Sequence, residues 1–248
     1  MLWQIVVWLT DAPHYILPGP AAVAASGWDN VELIFQHAGV TIAEILLGLA
    51  LGVMLGATSA LLLVQFPAAR HSLMPLLVAS QAIPVFALAP VLVLWLGYGL
   101  WSKVAMATLI IFFPVTAAFL DGLRRADSGW LDLARSMTTT VEHPYGDARA
   151  MLRHIRLPAA LPALASGIRV ATATAPIGAV VGEWVGSSRG LGYLMLHANG
   201  RLQIDLMFAA LLTLAIFAVL LWYGMDHLLR KMIPWQHDSL NDTGRNVA

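Results

Sequence analysis

The sequence contains no cysteine and few charged residues, and each deficit excludes a class of protein. Without cysteine, disulfides and thiolate metal sites are excluded. Only 11% of the residues are charged, whereas 59% are hydrophobic and the mean hydropathy is +0.74. This balance is far from that of a soluble domain and predicts an integral membrane protein.

The chain also lacks an excess of positive charge and the common motifs of catalysis. Its 14 basic and 14 acidic residues cancel, which argues against a nucleic-acid partner. It has no G-x-x-x-x-G-K-[ST] loop to hold a nucleotide, no H-E-x-x-H and no G-x-S-x-G. Energy for uphill work must therefore come from a partner or from an ion gradient.

Long apolar runs dominate what is present. A helix needs about 20 mostly apolar residues to cross a bilayer. Five segments satisfy this requirement: 39–64, 73–97, 102–120, 161–184 and 206–229. Residues 2–9 are apolar but short, because Asp11 and Pro13 follow, and we interpret them as a partial first span. The sequence predicts an all-α membrane protein with five clear spans and a short, partial sixth at the amino terminus.

Basic residues between the spans indicate the orientation. The loop between the third and fourth clear spans holds six arginines: Arg124, Arg125, Arg135, Arg149, Arg153 and Arg156. The positive-inside rule places this loop in the cytoplasm, together with Arg230 and Lys231 after the last span. Alternation then places Arg70 inside, and it places Lys103, Arg189 and Arg201 outside.

Small and charged residues within the spans indicate a packed bundle. Gly48, Gly52 and Gly56 recur every four residues, which predicts close helix packing rather than a specific dimer contact. Four prolines also fall inside predicted spans, where each favours a kink: Pro84, Pro90, Pro114 and Pro176.

Three charged residues lie within or near the spans, where ionisable groups are functional suspects: Glu44, Arg169 and Glu183. Arg169 is predicted near the cytoplasmic side, where it can extend toward the headgroups, and it lies too far along the helix from Glu183 to pair with it. Two interpretations of Glu44 and Glu183 stay open. Either they anchor and hydrogen-bond within the bundle, or they line a pathway.

Residues 147–157, "DARAMLRHIRL", form what we call the basic segment. An apolar stripe consists of Ala148, Met151, Leu152 and Ile155, and a basic stripe beside it consists of Arg149, Arg153 and Arg156. Pro158 predicts that this helix ends near Leu157. The segment either lies on anionic headgroups or docks into a groove of a cytoplasmic protein.

Two further functions stay open on the residues alone. A proton-coupled carrier would use Glu44, Glu183 and Arg169, although no internal repeat is evident. A membrane enzyme acting on a lipid headgroup would use Asp121, Asp127 and Asp132, although acids beside arginines are usually a solvated face.

Several segments together resemble the permease subunits of ATP-binding-cassette importers. They are "ILPGPAAV", "SQAIPVFALAPVLVLWLGYGLWSKV", "FFPVTAAFLDGLRRAD", "IRLPAALP" and "SGIRVATATAPIGAVVGEWVGSSRGLGYL". The likeness runs from Ile16 to Lys231 and is to the group that handles sulfonates, nitrate, taurine and thiamine precursors. Within that group the sequence is most similar to hydroxymethylpyrimidine permeases.

The resemblance implies a type I importer fold and a set of partners. The permease domain would span residues 38–231, after a partial span and external segment at 1–37 and before a polar cytoplasmic tail at 232–248. It would sit in the inner membrane as a homodimer, in contact with lipid. Its other partners would be two ATP-binding subunits and a periplasmic or lipoprotein solute-binding protein. This chain would be no enzyme and would bind no cofactor, because ATP and Mg²⁺ belong to the partner ATPase.

The resemblance also assigns roles to residues. The cytoplasmic coupling loop would span 121–160, and the residues expected to engage the ATPase are Ala148, Arg149, Met151, Leu152, Arg153, Ile155, Arg156 and Pro158. Candidates for lining the translocation path are Gln81, Pro84, Glu183 and Trp184. The stretch "TTTVEHPYGD", from Thr138 to Asp147, departs from the family pattern and lengthens the loop before the basic segment.

Overall fold

A computed structural model describes residues 2–11, 13–80, 82–125, 129–130, 132–133 and 148–235, and all of its long elements are helices. The helices are α1 (Leu2–Thr10), α2 (Pro20–Asp29), α3 (Val31–Gln65), α4 (Pro67–Ser80), α5 (Val85–Leu96), α6 (Leu100–Arg124), α7 (Ala148–Met151), α8 (Leu157–Gly186), α9 (Leu191–Gly200) and α10 (Ile204–Met232). A π-helical turn, Leu152–Arg156, joins α7 to α8.

Helix α6 lies at the centre of the bundle. It packs along much of its length against α3 on one side and α8 on another, while α10 packs against α2, α8 and α9. The main core contains Ile45, Ile111 and Ala175 from these three central helices, all fully buried. A second, smaller core around Leu63, Phe119 and Leu123 closes the end of the bundle near the basic segment.

Four helices among the described residues are long and apolar enough to cross a membrane: Val31–Gln65, Leu100–Arg124, Leu152–Gly186 and Ile204–Met232. The all-α membrane fold is therefore confirmed, and four of the five predicted spans lie within these helices. The prediction of one continuous span over 73–97 is wrong. That region consists of α4 and the shorter apolar helix α5, with Pro84 as the N-cap of α5.

The break at Pro84 has a local cause. Proline has no N–H group and disfavours the helical conformation in the residue before it. Pro84 instead accepts a hydrogen bond from the Ala87 N–H, and this bond starts the next helix. Pro90, Pro114 and Pro176 stay inside helices.

The predicted end of the basic segment at Leu157 is also wrong, because the helix continues through Pro158 to Gly186. The Leu157 N–H bonds to the Leu152 carbonyl, five residues earlier. This wider π turn shifts the hydrogen-bond register by one residue next to the proline, which lacks a donor of its own. The described part of the basic segment, from Ala148 onward, is therefore continuous with the helix that contains Glu183.

Glycines bring the three central helices into close contact. Gly48, Gly52 and Gly56 of α3 face α6, where they lie against Ala107, Ile111 and Val115, respectively. Gly178 of α8 reaches the same Ala107 from the other side. The glycine repeat is thus used in packing within this chain.

Candidate functional site

Glu183 lies near the end of the bundle where α9 is located, and we call this end the α9 end. Its carboxylate accepts hydrogen bonds from the Gly192 and Tyr193 N–H groups at the start of α9, the latter at 3.3 Å. It also accepts a hydrogen bond of 2.6 Å from the Thr41 hydroxyl of α3. Because the first N–H groups of a helix have no partner within it, Glu183 caps α9 from a different helix.

The turn between α8 and α9 is fastened to α3 at two more points. The Leu191 N–H donates to the Thr41 hydroxyl at 2.7 Å, and the Gly190 N–H donates to His37 Nδ1 at 2.9 Å. Gly190 has a φ of +117°, and a side chain there would collide with the Glu183 carboxylate. Only glycine therefore allows the turn to approach this close.

A second buried ionic contact lies beside Glu183. Lys103 Nζ lies 3.4 Å from Glu44 Oε1, and the two side chains are only 6% and 0% exposed. Gly182, the residue before Glu183, packs against Lys103, so Glu44 and Glu183 lie in the same buried region. The sequence analysis placed Lys103 in an external connection, whereas the structure buries it in the first turn of α6.

An open cavity of about 590 Å³ lies next to this network, between the start of α3, α9 and the start of α10. Three of its rings are stacked: His37 on Tyr193, and Tyr193 on His197, with ring centroids 5.9 Å and 5.3 Å apart. Arg189 and Arg201 also line it. None of the described residues that line this cavity is acidic, so the charge on its wall comes from the two arginines and is positive, although leucine side chains also line it.

Arg169, which the sequence analysis predicted near the cytoplasmic side, pairs with an acidic residue of α10. Its Nε lies 2.6 Å from Asp226 Oδ1 of α10, and Arg230 Nε lies 2.8 Å from the other carboxylate oxygen. Asp226 thus joins α8 to α10 nearer the basic segment, and Arg169 and Glu183 serve different contacts.

The predicted coupling residues do not all point the same way. Arg153 and His154 are exposed, whereas Met151, Leu152, Ile155, Arg156 and Pro158 are half-buried. Leu152 packs against the small core near Leu63 and Phe119, so its side chain is engaged by this chain itself. The side chains of Ala148 and Arg149 and the loop Thr138–Asp147 lie outside the described part of the chain.

The predicted path residues that the structure describes differ in their surroundings. Glu183 is 1% exposed and faces α3 and α9, whereas the Trp184 ring is half-exposed and its Nε1 donates to the Gly192 carbonyl at 3.1 Å. Pro84 is exposed at the start of α5, and Gln81 lies outside the described residues. Of the acids proposed for an enzyme, Asp121 pairs with Arg125 on the surface and Asp127 is outside the described part.

Sequence reasoning identified Glu183 and Glu44 but missed Thr41, His37 and Lys103. One signal was available, because the predicted orientation puts Glu44, Lys103 and Glu183 at the same membrane boundary. Among the described residues, no cluster of histidine and carboxylate side chains could hold a metal ion.

Comparisons with known proteins agree with this architecture. Residues 48–234 match the model of the family described as "Binding-protein-dependent transport system inner membrane component". A probable ABC transporter permease of Haemophilus influenzae is 55% identical over 94% of this chain and 92% of its own length.

Two relatives have names that include a solute. The formylaminopyrimidine transport permease ThiX of Halalkalibacterium halodurans is 36% identical over 95% of this chain and 92% of its own length. The riboflavin transport system permease RibX of Chloroflexus aurantiacus is also 36% identical, over 95% of this chain and 86% of its own length.

A solved structure supports the fold. The MetNI methionine ABC transporter in an inward-facing conformation matches with a TM-score of 0.68, covering 82% of this chain and 97% of that chain at 20% identity. With the family match, this likeness identifies a multi-pass membrane protein rather than an enzyme. The chain belongs to the binding-protein-dependent transport system inner membrane component family, as a permease subunit of an ATP-binding-cassette importer whose ATP hydrolysis is carried by a separate subunit.

Proposed function

We propose that this chain forms the translocation path for a pyrimidine precursor of thiamine, of the hydroxymethylpyrimidine type. The observation that carries the proposal is the similarity over 95% of the chain to a formylaminopyrimidine transport permease. The equally similar riboflavin permease also handles, by its name, a ring-containing nitrogen heterocycle. The runner-up is a sulfonate, taurine or nitrate permease of the same family; permeases named for aliphatic sulfonates and taurine are 28–30% identical.

The assembly proposed is a homodimer of this chain with two ATPase subunits, which bind ATP and Mg²⁺, and one solute-binding protein. Exposed apolar side chains are available for contact with lipid and with a second copy. On α5 alone, Leu94 and Trp95 are 81% and 74% exposed. The arginine-rich basic segment is proposed to face the cytoplasm, which places the α9 end outside.

Uptake by reconstituted vesicles tests the substrate. Proteoliposomes containing the permease and its ATPase, with the solute-binding protein outside and ATP inside, should accumulate labelled hydroxymethylpyrimidine. Excess unlabelled riboflavin or taurine should not compete. Competition by either compound would transfer the assignment to that solute, and uptake that needs a proton gradient but no ATP would contradict the importer mechanism itself.

The basic segment is proposed to engage the ATPase through its exposed side, which carries Arg153 and His154. Arg153→Glu should weaken association with the ATPase by at least about tenfold, because reversing a contacting charge costs several kcal/mol. Co-purification and titration of the ATPase onto permease in nanodiscs measure this change.

Lys231→Glu provides the matched control. Lys231 is an exposed cation at the end of α10, which is proposed to lie on the same side of the membrane. This variant should bind the ATPase as the unmodified chain does. If Arg153→Glu also binds normally, the exposed side of the basic segment is not the ATPase contact.

A further inference from the structure

The α9 end contains an unusual arrangement for holding a short helix. A helix is ordinarily capped by a residue at its own first position. The N-cap of α9 is Gly190, which has no side chain, and the caps come instead from Glu183 of α8 and Thr41 of α3. Helix α9 therefore cannot shift relative to α3 or α8 without breaking these bonds.

Thr41 is the centre of this arrangement. Its hydroxyl accepts from the Leu191 N–H at 2.7 Å and donates to Glu183 Oε1 at 2.6 Å. Thr41 is 0% exposed, so water cannot easily replace either bond. One hydroxyl thus connects three helices.

One side of α9 lines the open cavity. Tyr193, His197 and Arg201 line that cavity along and just beyond α9, and His37 of α3 completes the ring stack. A partner that contacts this wall and displaces α9 would therefore act directly on the bonds to Thr41 and Glu183.

Helix α8 connects the α9 end to the basic segment. Its 30 residues span about 45 Å, and the π turn continues it into Leu152–Arg156 without a break. Coupling between distant sites can travel through such a rigid helix when both sites bias its position.

We propose that Thr41 and Glu183 are positioning residues that transmit docking of the solute-binding protein at the α9 end to α8, and through α8 to the ATPase. This inference rests on the proposed function. It assigns Glu183 to signal transmission rather than to the wall of the translocation path.

The test compares Thr41→Val with Thr41→Ser in the reconstituted complex. Valine keeps the shape of threonine but removes the hydroxyl, whereas serine keeps it. With Thr41→Val, stimulation of ATP hydrolysis by the loaded solute-binding protein should fall about fivefold or more, the lower limit of typical coupling between sites. The basal rate and the association with the ATPase should not change. Thr41→Ser should retain the stimulation.

Thr58→Val is the matched control on the same helix. Thr58 is exposed, and within the described part of the chain its hydroxyl donates to carbonyl groups of α3 itself, at 2.8 Å and 3.0 Å. Its removal should leave stimulation unchanged. If Thr41→Val does not assemble, Glu183→Gln takes its place. The amide of glutamine keeps the shape of the side chain and one acceptor oxygen but loses the second acceptor. Reduced stimulation of ATP hydrolysis with a normal basal rate is again expected.

Two failures can be told apart. If the unmodified complex is not stimulated by any solute-binding protein, the proposed function fails. If the unmodified complex is stimulated and Thr41→Val, or Glu183→Gln in its place, is stimulated equally, only the positioning role is overturned. Equal loss in Thr41→Val and Thr41→Ser would also overturn it, because the hydroxyl would then not be the cause.

Discussion

Replacing Lys103 by methionine is expected to destabilise the bundle by about 3–5 kcal/mol, the usual effect of removing one partner of a buried ion pair. Glu44 is fully buried, and Lys103 is the cation that contacts it in the described part of the chain. Methionine would leave that carboxylate and its neighbour Glu183 without a positive charge. Thermal unfolding in detergent, followed by tryptophan fluorescence, measures the loss.

A second substitution separates charge from packing. Adding Glu44→Leu to Lys103→Met removes both members of the ion pair and leaves Glu183 with its hydrogen bonds to Thr41 and the start of α9. This should recover most of the stability, since buried ion pairs can often be replaced by apolar residues at little cost. Lys231→Met, at an exposed lysine of α10, should unfold like the unmodified chain. If Lys103→Met is as stable as the unmodified chain, the Lys103–Glu44 ion pair contributes nothing to the stability of the bundle.

The sequence predicted the long helices well because membrane spans are encoded locally. Four apolar runs lie within α3, α6, α8 and α10. The error at 73–97 arose because hydropathy is averaged over a window of residues, and such an average is the same for a continuous helix and for two helices with a break between them. Pro84 was recognised as a disturbance, but whether a proline kinks a helix or ends it depends on its tertiary surroundings.

The continuity of the basic segment with α8 could not be predicted from residue type. Proline usually ends a helix at the preceding residue, so Pro158 indicated a stop. The structure instead inserts a π turn over Leu152–Arg156. Residue type alone does not distinguish these outcomes, yet the difference decides whether the segment is a separate short helix or the end of a helix that reaches Glu183.

The polar site was predictable in part. Glu183 and Glu44 stood out because carboxylates are rare within spans. Their partners did not, because threonine and histidine are unremarkable near a helix end and their contacts cross more than 140 residues of sequence. Lys103 was placed on the outer side of the membrane at the start of the predicted span 102–120, whereas the burial of its ammonium group depends on Glu44 from another helix.

The close packing of α6 leads to the other large expected effect. Gly178→Ala should destabilise the bundle by about 1–3 kcal/mol, and Gly178→Val should prevent folding, because overpacking at a backbone contact is relieved only by moving a helix. A methyl group on Gly178 would lie 2.7 Å from Ala107 Cα, and one on Gly48 would lie 2.5 Å from Ala107 Cβ. Ala107 thus has a helix against it on both sides, and α6 cannot move away from one without approaching the other.

Gly39→Ala is the matched control, since Gly39 is on α3 and, apart from the nearby backbone of α3 itself, no described atom lies within 4 Å of the position of an added methyl group. It should be neutral or slightly stabilising, because alanine favours a helix over glycine by roughly 0.5–1 kcal/mol. If thermal unfolding shows that Gly178→Ala lowers stability and Gly39→Ala raises it, the effect at Gly178 comes from the helix contact and not from helix propensity. If both substitutions raise stability, α8 and α6 are not packed as closely as the structure has them, and the rigid connection between the two ends of the bundle loses its basis.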